Sequence, residues 1–262
     1  MDFSDSLSVI IWVNVRFCLP FTFLLIALCC LVRLDRAPVS YYMNLLLSNL
    51  VQLIILIALP RHSDYHWKHL VSVHIYACCA LAALCFRMAI ALERCFLISF
   101  PLPYSVTQTK GLLIVCVFVW MFSLGSGPVF LKFLHGLLFL IFALLPGPVF
   151  ILSLFWTLKS INTNVSVSSE ETDRTMGMLL VLLVNYFVSI FPAVIYYIYL
   201  GDFNRYYFKI ADIFLTLFLL GPCLDLILFV FMCKGLTDKL LLRLCSCRKE
   251  TSEGSDLSSS SV

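Results

Sequence analysis

Charged residues are scarce in this sequence. Only 13% of the 262 residues are charged and 61% are hydrophobic, whereas soluble domains have about 25% charged and about 45–50% apolar residues. A soluble fold of this length cannot remove so much apolar surface from water. The composition therefore excludes a soluble domain and predicts an integral membrane protein.

Several sequence patterns are also missing. No strand-length segments alternate between apolar and polar residues, which argues against a transmembrane β-barrel. There are no inverted repeats or lines of charge of the kind that transporters use. Metal-ligand spacings, a nucleophile elbow and a glycine-rich phosphate loop are absent as well. The sequence thus predicts no enzyme, no cofactor and no nucleic-acid partner.

Long apolar runs are what the sequence does contain. A helix needs about 20 mainly apolar residues to cross the hydrocarbon core, and seven runs qualify: Leu7–Val32, Ser40–Leu59, His69–Ile98, Gly111–Leu131, Gly136–Leu158, Met176–Leu200 and Phe208–Met232. We therefore expect an all-α membrane protein in which residues 1–233 form a seven-transmembrane helix bundle. A short amphipathic juxtamembrane helix over 234–247 and a disordered tail over 248–262 would follow.

The orientation is predicted from the basic residues, which favour cytoplasmic loops. An odd number of spans puts the two termini on opposite sides of the membrane. The side that contains the C-terminus has the larger set: Arg33, Arg36, Arg94, Lys110, Lys159, Arg174, Lys234, Lys239, Arg243, Arg248 and Lys249. The other side has Arg61, Lys68, Lys132, Arg205 and Lys209, with Arg16 at its edge. The bias predicts a cytoplasmic C-terminus and an extracellular N-terminus. The start of the sequence, MDFSDSLS, lacks the basic region of a cleavable signal peptide and the first span is long, so this span is expected to be an uncleaved signal-anchor.

Most of the twelve cysteines lie in or at the edge of spans, where a thiol is most often a small apolar packing group. These are Cys18, Cys29, Cys30, Cys78, Cys79, Cys85, Cys116, Cys223 and Cys233. None falls in a predicted outer loop, so no extracellular disulfide is expected. Cys245 and Cys247 follow the amphipathic stretch and are candidates for S-palmitoylation, although plain cytosolic thiols fit the sequence equally well.

A Glu-Arg pair, Glu93–Arg94, interrupts the apolar sequence at the predicted cytoplasmic end of the third span, in ALERCFLISFPL. It resembles the Asp/Glu-Arg-Tyr signature of rhodopsin-like G-protein-coupled receptors. Other stretches are similar to that family in the same order: NLLLSNL in the second span, Trp120, Pro148 (or Pro146), Pro192, and CLDLILF in the seventh. The ALER…FPL phrase and the Asp form of the last motif lean towards the nucleotide, lipid and proton-sensing branch.

The resemblance implies a receptor in a cell's plasma membrane that couples an extracellular ligand (a small molecule, a lipid or the proton) to a heterotrimeric G protein. Glu93 and Arg94 would be the coupling switch, because opening the bundle would free the arginine for a partner. Several family features are absent, among them the outer disulfide, the toggle tryptophan and the Pro and Tyr of the last motif. A non-signalling or decoy seven-helix protein is therefore the alternative.

Ionisable groups inside a membrane are costly and are expected to have partners. Arg87 lies seven residues before Arg94, and Asp225 lies at a similar depth in the seventh span. In the family that the sequence resembles, these two positions approach each other, so the resemblance implies that Arg87 and Asp225 form a buried ion pair beside Asn49. The alternative is that Arg87 faces a water-filled cavity alone. The family normally has an apolar residue at the position of Arg87, so the resemblance also implies that this arginine weakens the closed state of a receptor.

Two groups of residues are candidates for ligand recognition at the outer end. Asp212 could anchor a cation among Tyr76, Tyr196 and Tyr197, or it could form a structural pair with Lys209 or Arg205. All five histidines also lie there, namely His62, His66, His69, His74 and His135. Because the side chain of free histidine has a pKa of about 6.5, these residues could gain charge when the extracellular medium becomes acidic and so sense acid. Alternatively, their placement at the outer end could be incidental.

Overall fold

The computed structural model describes residues 9, 12, 14–31, 37–58, 66–99, 108–132, 137–163, 169–192, 194–195 and 217–232. Within these ranges the secondary structure is helical apart from turns at Leu145 and Leu220, and each predicted apolar run contains helical residues. We number the helices α1 (π-helical Asn14–Cys18, then Leu19–Leu31), α2 (Ala37–Ala58), α3 (His66–Ser99), α4 (Gln108–Lys132), α5 (Leu137–Leu144 and Pro146–Thr163), α6 (Ser169–Asn185, then π-helical Tyr186–Ile190) and α7 (Gly221–Met232).

Four of the helices are long and apolar enough to cross a membrane. Their qualifying segments are Val39–Ile57, Val71–Ile98, Ile141–Ser160 and Glu171–Ile190. The described apolar parts of α1, α4 and α7 are shorter, over Asn14–Cys30, Gly111–Ser126 and Leu217–Phe231. The helices are therefore compatible with a membrane protein.

The helical irregularities lie near prolines. A proline has no N–H and its ring crowds the preceding turn, so it disturbs the hydrogen-bond ladder of a helix. α5 is divided at Leu145, directly before Pro146, and the π-helical end of α6 stops at Ile190, two residues before Pro192. The π-helical start of α1 likewise precedes Pro20. These are the positions at which wide turns and kinks are expected.

α3 is the central helix, and it packs against α2, α4, α5 and α6. Its inward face combines the fully buried Phe86 and Ile90 with the small residues Ala82 and Ala83. Large core side chains from its neighbours fill the space around it: Tyr42, Leu45, Leu46, Phe150, Met178, Leu179, Leu182 and Leu228.

The outward faces of the helices are apolar too. On α4, Ile114 and Phe118 are 68% and 67% exposed, and Leu113 and Met121 are nearly as exposed. Apolar patches of this extent on a folded chain indicate contact with a membrane or a partner.

Candidate functional site

A buried ion pair between α3 and α7 is the centre of the candidate site. The Nε of Arg87 donates to Oδ1 of Asp225 over 2.9 Å, and Nη2 donates to Oδ2 over 2.6 Å. Arg87 is 6% exposed and Asp225 is fully buried. This is the two-pronged geometry in which a guanidinium binds a carboxylate most strongly.

Two asparagines complete the surroundings of the carboxylate. Nδ2 of Asn49 on α2 donates to Oδ2 of Asp225, and Nδ2 of Asn185 on α6 donates to Oδ1, each over 2.7 Å. Ser189 Oγ in turn donates to Oδ1 of Asn185 over 3.0 Å. The carboxylate of Asp225 therefore connects α7 by hydrogen bonds to three other helices, α2, α3 and α6.

The network continues along α2. Nε2 of Gln52 lies 3.3 Å from Oδ1 of Asn49, and the hydroxyl of Tyr42 donates to the backbone carbonyl of Asp225 over 3.2 Å. A charge buried in apolar surroundings is tolerated only when its partners replace the lost hydration. The polar network, as we call Asn49, Gln52, Arg87, Asn185, Ser189 and Asp225, meets that requirement for Asp225 and ties α2, α3, α6 and α7 together.

A cavity of about 320 Å³ lies beside the polar network. Its walls are mostly apolar, and three members of the polar network form part of them, namely Gln52, Arg87 and Ser189. The space exists because α3 presents alanines to it, at Ala77, Ala80 and Ala83. This volume falls at the lower end of the range of small-molecule sites, which is about 300–1,000 Å³.

One polar group of the cavity wall lacks a partner in the structure. Ser123 on α4 is fully buried, and its Oγ makes no hydrogen bond to any described residue. One turn further along, Ser126 also lines the cavity, but its Oγ donates to the carbonyl of Ser123 over 3.1 Å. Buried polar groups normally have partners, so Ser123 is an exception among the described residues of this wall.

Two of the predicted ligand-side residues line the cavity. The ring of Tyr76 lies 6.3 Å from that of Phe218, and Nε2 of His74 lies 3.7 Å from Sγ of Cys78. The side chains of His66 and His69, at the start of α3, lie outside the described part of the chain, as do the whole residues His62, His135, Tyr196, Tyr197, Asp212, Cys245 and Cys247.

Glu93 and Arg94 are partly buried near the C-terminal end of α3. Arg94 follows Arg87 by seven residues, which at the helical rise of 1.5 Å is about 10.5 Å. Along α3 the cavity therefore comes first, from Val73 to Arg87, then the ion pair at Arg87, and then the Glu-Arg pair.

The expectation that Cys18 and Cys223 are apolar packing groups was wrong. They form a disulfide between α1 and α7, with their Cα atoms 5.7 Å apart. Close packing of α7 against the start of α1 brings the two thiols together, a contact that residues 205 apart in sequence do not reveal. The Oδ1 of Asn14 lies 2.7 Å from Sγ of Cys223. The other cysteines among the described residues are free thiols.

Sequence reasoning missed three contributors to the site, namely Asn185, Gln52 and Ser123. The first two interrupt apolar runs, in LLVNYF and NLVQLI, so the rule that singled out Arg87 and Asp225 would also have found them. Ser123 had no such signal, because a serine within a membrane helix commonly bonds to its own backbone.

Comparison of the chain with family models and with curated proteins finds no match to either.

Proposed function

We propose that the chain is a seven-transmembrane receptor that passes an extracellular ligand signal to a heterotrimeric G protein. Its N-terminus would be extracellular, its C-terminus cytoplasmic, and its location the plasma membrane. The observation that carries the proposal is the order of features along α3: a cavity, a polar network that ties four helices, and the Glu93–Arg94 pair.

The polar network would work as a latch between two arrangements of the helices. Arg87 and Ser189 contact both the cavity and the network, so an occupant of the cavity would act on groups that hold α3 to α6 and α7. A ligand shifts such an equilibrium by its difference in affinity for the two states, and about 1.4 kcal/mol changes their ratio tenfold. Movement of α6 or α7 away from α3 would then change what Arg94 can contact.

A non-signalling seven-helix protein is the second candidate, and one observation favours it. Both oxygens of Asp225 accept two hydrogen bonds each, and the disulfide fixes α7 to α1. A chain held at so many points is stable in one arrangement. Whether the latch opens is the property that separates the two candidates.

The test is G-protein activation in cells that express a surface-tagged chain, with the extracellular pH varied. We expect basal activity that Arg94→Ala abolishes while surface display is unchanged. Lys110→Ala is the matched control, because it removes a positive charge from the same predicted side of the membrane. G-protein activation that changes with extracellular pH, and no longer does so when the five histidines are replaced, would identify the proton as the signal.

Two outcomes would contradict the proposal. Activity that is equally reduced by Lys110→Ala would show a general effect of charge rather than coupling through Arg94. Good surface display with no activity at any pH, and no activity from ion-pair variants that still reach the surface, would favour the non-signalling candidate.

A further inference from the structure

We infer that the cavity beside the polar network binds an uncharged, mainly apolar molecule that is held through one hydroxyl or carbonyl group by Ser123. Three properties of the cavity lead to this class of ligand: its volume, the balance of charge along its wall, and the hydroxyl of Ser123, which makes no hydrogen bond to the described residues.

The volume sets the size of the ligand. An apolar cavity of about 150 Å³ holds one benzene ring. The present cavity has about 320 Å³, which corresponds to about two fused rings. Larger amphiphiles would have to extend beyond these walls.

The charge along the wall favours a neutral ligand. Arg87 is the permanently charged side chain that lines the described wall, and Asp225 neutralises it through two short hydrogen bonds. An anion would have to compete with Asp225 for the guanidinium. A cation would find no carboxylate in the described wall and would lie near Arg87. Either charged ligand would also lose its hydration without replacement.

The hydroxyl of Ser123 supplies the polar anchor. It is buried, lines the cavity and makes no hydrogen bond within the described chain. Rotation about the Cα–Cβ bond moves Oγ among staggered positions at small cost, so the group can meet a ligand and either donate or accept a hydrogen bond. The hydroxyl of Ser126 already donates to the backbone carbonyl of Ser123. It would have to give up that hydrogen bond in order to donate to a ligand, so it is expected to stabilise a bound ligand less than Ser123 does.

Only the role of this ligand as a signal rests on the proposed function. Binding itself is a property of the cavity and is measured without a G protein. If binding follows the pattern below and no Arg94-dependent signalling exists, then the cavity is assigned and the receptor proposal fails. If Arg94-dependent signalling exists and this binding pattern is absent, then the receptor proposal stands and the inference about the cavity fails.

The experiment uses the full chain in lipid nanodiscs and four probes that share one ring system: naphthalene, 2-naphthol, 2-naphthoate and 2-naphthylmethylammonium. Binding is measured by equilibrium dialysis, with empty nanodiscs subtracted to remove partition into lipid. We expect 2-naphthol to bind roughly five-fold more tightly than naphthalene, the worth of one neutral hydrogen bond, and both charged probes to bind at least about ten-fold more weakly than 2-naphthol.

Ser123→Ala should remove the preference for 2-naphthol over naphthalene, whereas the matched control Ser126→Ala should keep it. Ala80→Phe should abolish binding of both neutral probes by filling the cavity. If that variant does not fold, the comparison of the two serines remains decisive. The inference is overturned if no neutral probe binds, if a charged probe binds best, or if the two serine variants behave alike.

Discussion

At the scale of single residues, Asp225 shows how a carboxylate can be kept inside an apolar bundle. Its two oxygens accept from Arg87, Asn49 and Asn185, and no part of the side chain is exposed. Arg87 ties α3 to α7, and the expectation that it weakens the closed state of a receptor stays a prediction. Because the pair is buried, the cost of breaking it comes mainly from the charge that is left alone.

The first prediction concerns this stranded charge. Arg87→Leu and Asp225→Leu should each destabilise the chain by roughly 3–5 kcal/mol, which lowers surface expression and the midpoint of thermal unfolding. The double variant Arg87→Leu with Asp225→Asn should recover much of the loss, since the new amide oxygen still accepts from a neighbouring asparagine. A double variant no more stable than either single variant would rule out the pair as a coupled unit.

How far the site follows from sequence depends on the residue. Arg87 and Asp225 stood out because ionisable groups at bilayer depth need partners, and Asn49 stood out because NLLLSNL resembles a family pattern. In the structure Asp225 contacts both Arg87 and Asn49. Asn185, a polar group within an apolar run, carried a related signal and was overlooked. Ser123 could not be found in this way, because its lack of a partner depends on where α3 and α4 leave space.

At the scale of the elements, the disulfide between Cys18 and Cys223 joins the first and last described helices. A disulfide that closes a long loop typically adds about 2–4 kcal/mol by restricting the unfolded chain. It also keeps Asp225, two residues beyond Cys223, near a fixed part of α1. The shorter helices α1 and α7 are thus held by a covalent bond in addition to packing.

The second prediction tests this bond. A protease site inserted within 164–168 should yield two fragments that migrate together in denaturing electrophoresis and separate only after reduction. Cys18→Ser should separate them without reductant and lower the thermal midpoint. Cys29→Ser, which replaces a free buried thiol of the same helix, should leave them joined. Separation of the unmodified fragments in the absence of reductant would exclude the disulfide.

A third prediction follows from the contact between α6 and α7. A Cβ at Gly177 would overlap the ring of Phe231, whereas nothing lies within 4 Å of a Cβ at Gly125. Gly177→Ala should therefore cost about 1–3 kcal/mol by overpacking, and Phe231→Leu should restore part of it. Gly125→Ala, the control, should change the thermal midpoint little. Equal effects of the two alanines would show that α6 and α7 do not pack this closely.

Four of the seven predicted spans contain a helix that is long and apolar enough to cross a membrane. The sequence predicted the helical fold and the order of the helices because length and apolar content define a membrane helix almost by themselves. It predicted their ends less well. α6 begins at Ser169, seven residues before the expected Met176, since SEETDRT continues the helix beyond the apolar run. The break in α5 falls before Pro146, and which of two nearby prolines disturbs a helix is decided by packing.

At the scale of the whole molecule, the length of α3 bears on how the chain would sit in a bilayer. Its 34 residues extend about 51 Å at 1.5 Å per residue, while the hydrocarbon core is about 30 Å thick. α3 must therefore tilt or project from the core at one or both ends. Glu93–Arg94, near its C-terminal end, is then suitably placed to reach the water interface.

The last prediction concerns orientation. The excess of lysine and arginine on the side of the C-terminus predicts that this side is cytoplasmic. In intact cells an antibody should therefore reach an epitope added before Met1, while one added after Val262 should be reached only after permeabilisation. Replacing Lys234, Lys239 and Arg243 by glutamine removes part of the bias and should produce a fraction of inverted chains. An accessible C-terminal epitope on intact cells would place Glu93–Arg94 outside the cell, where no G protein could contact it.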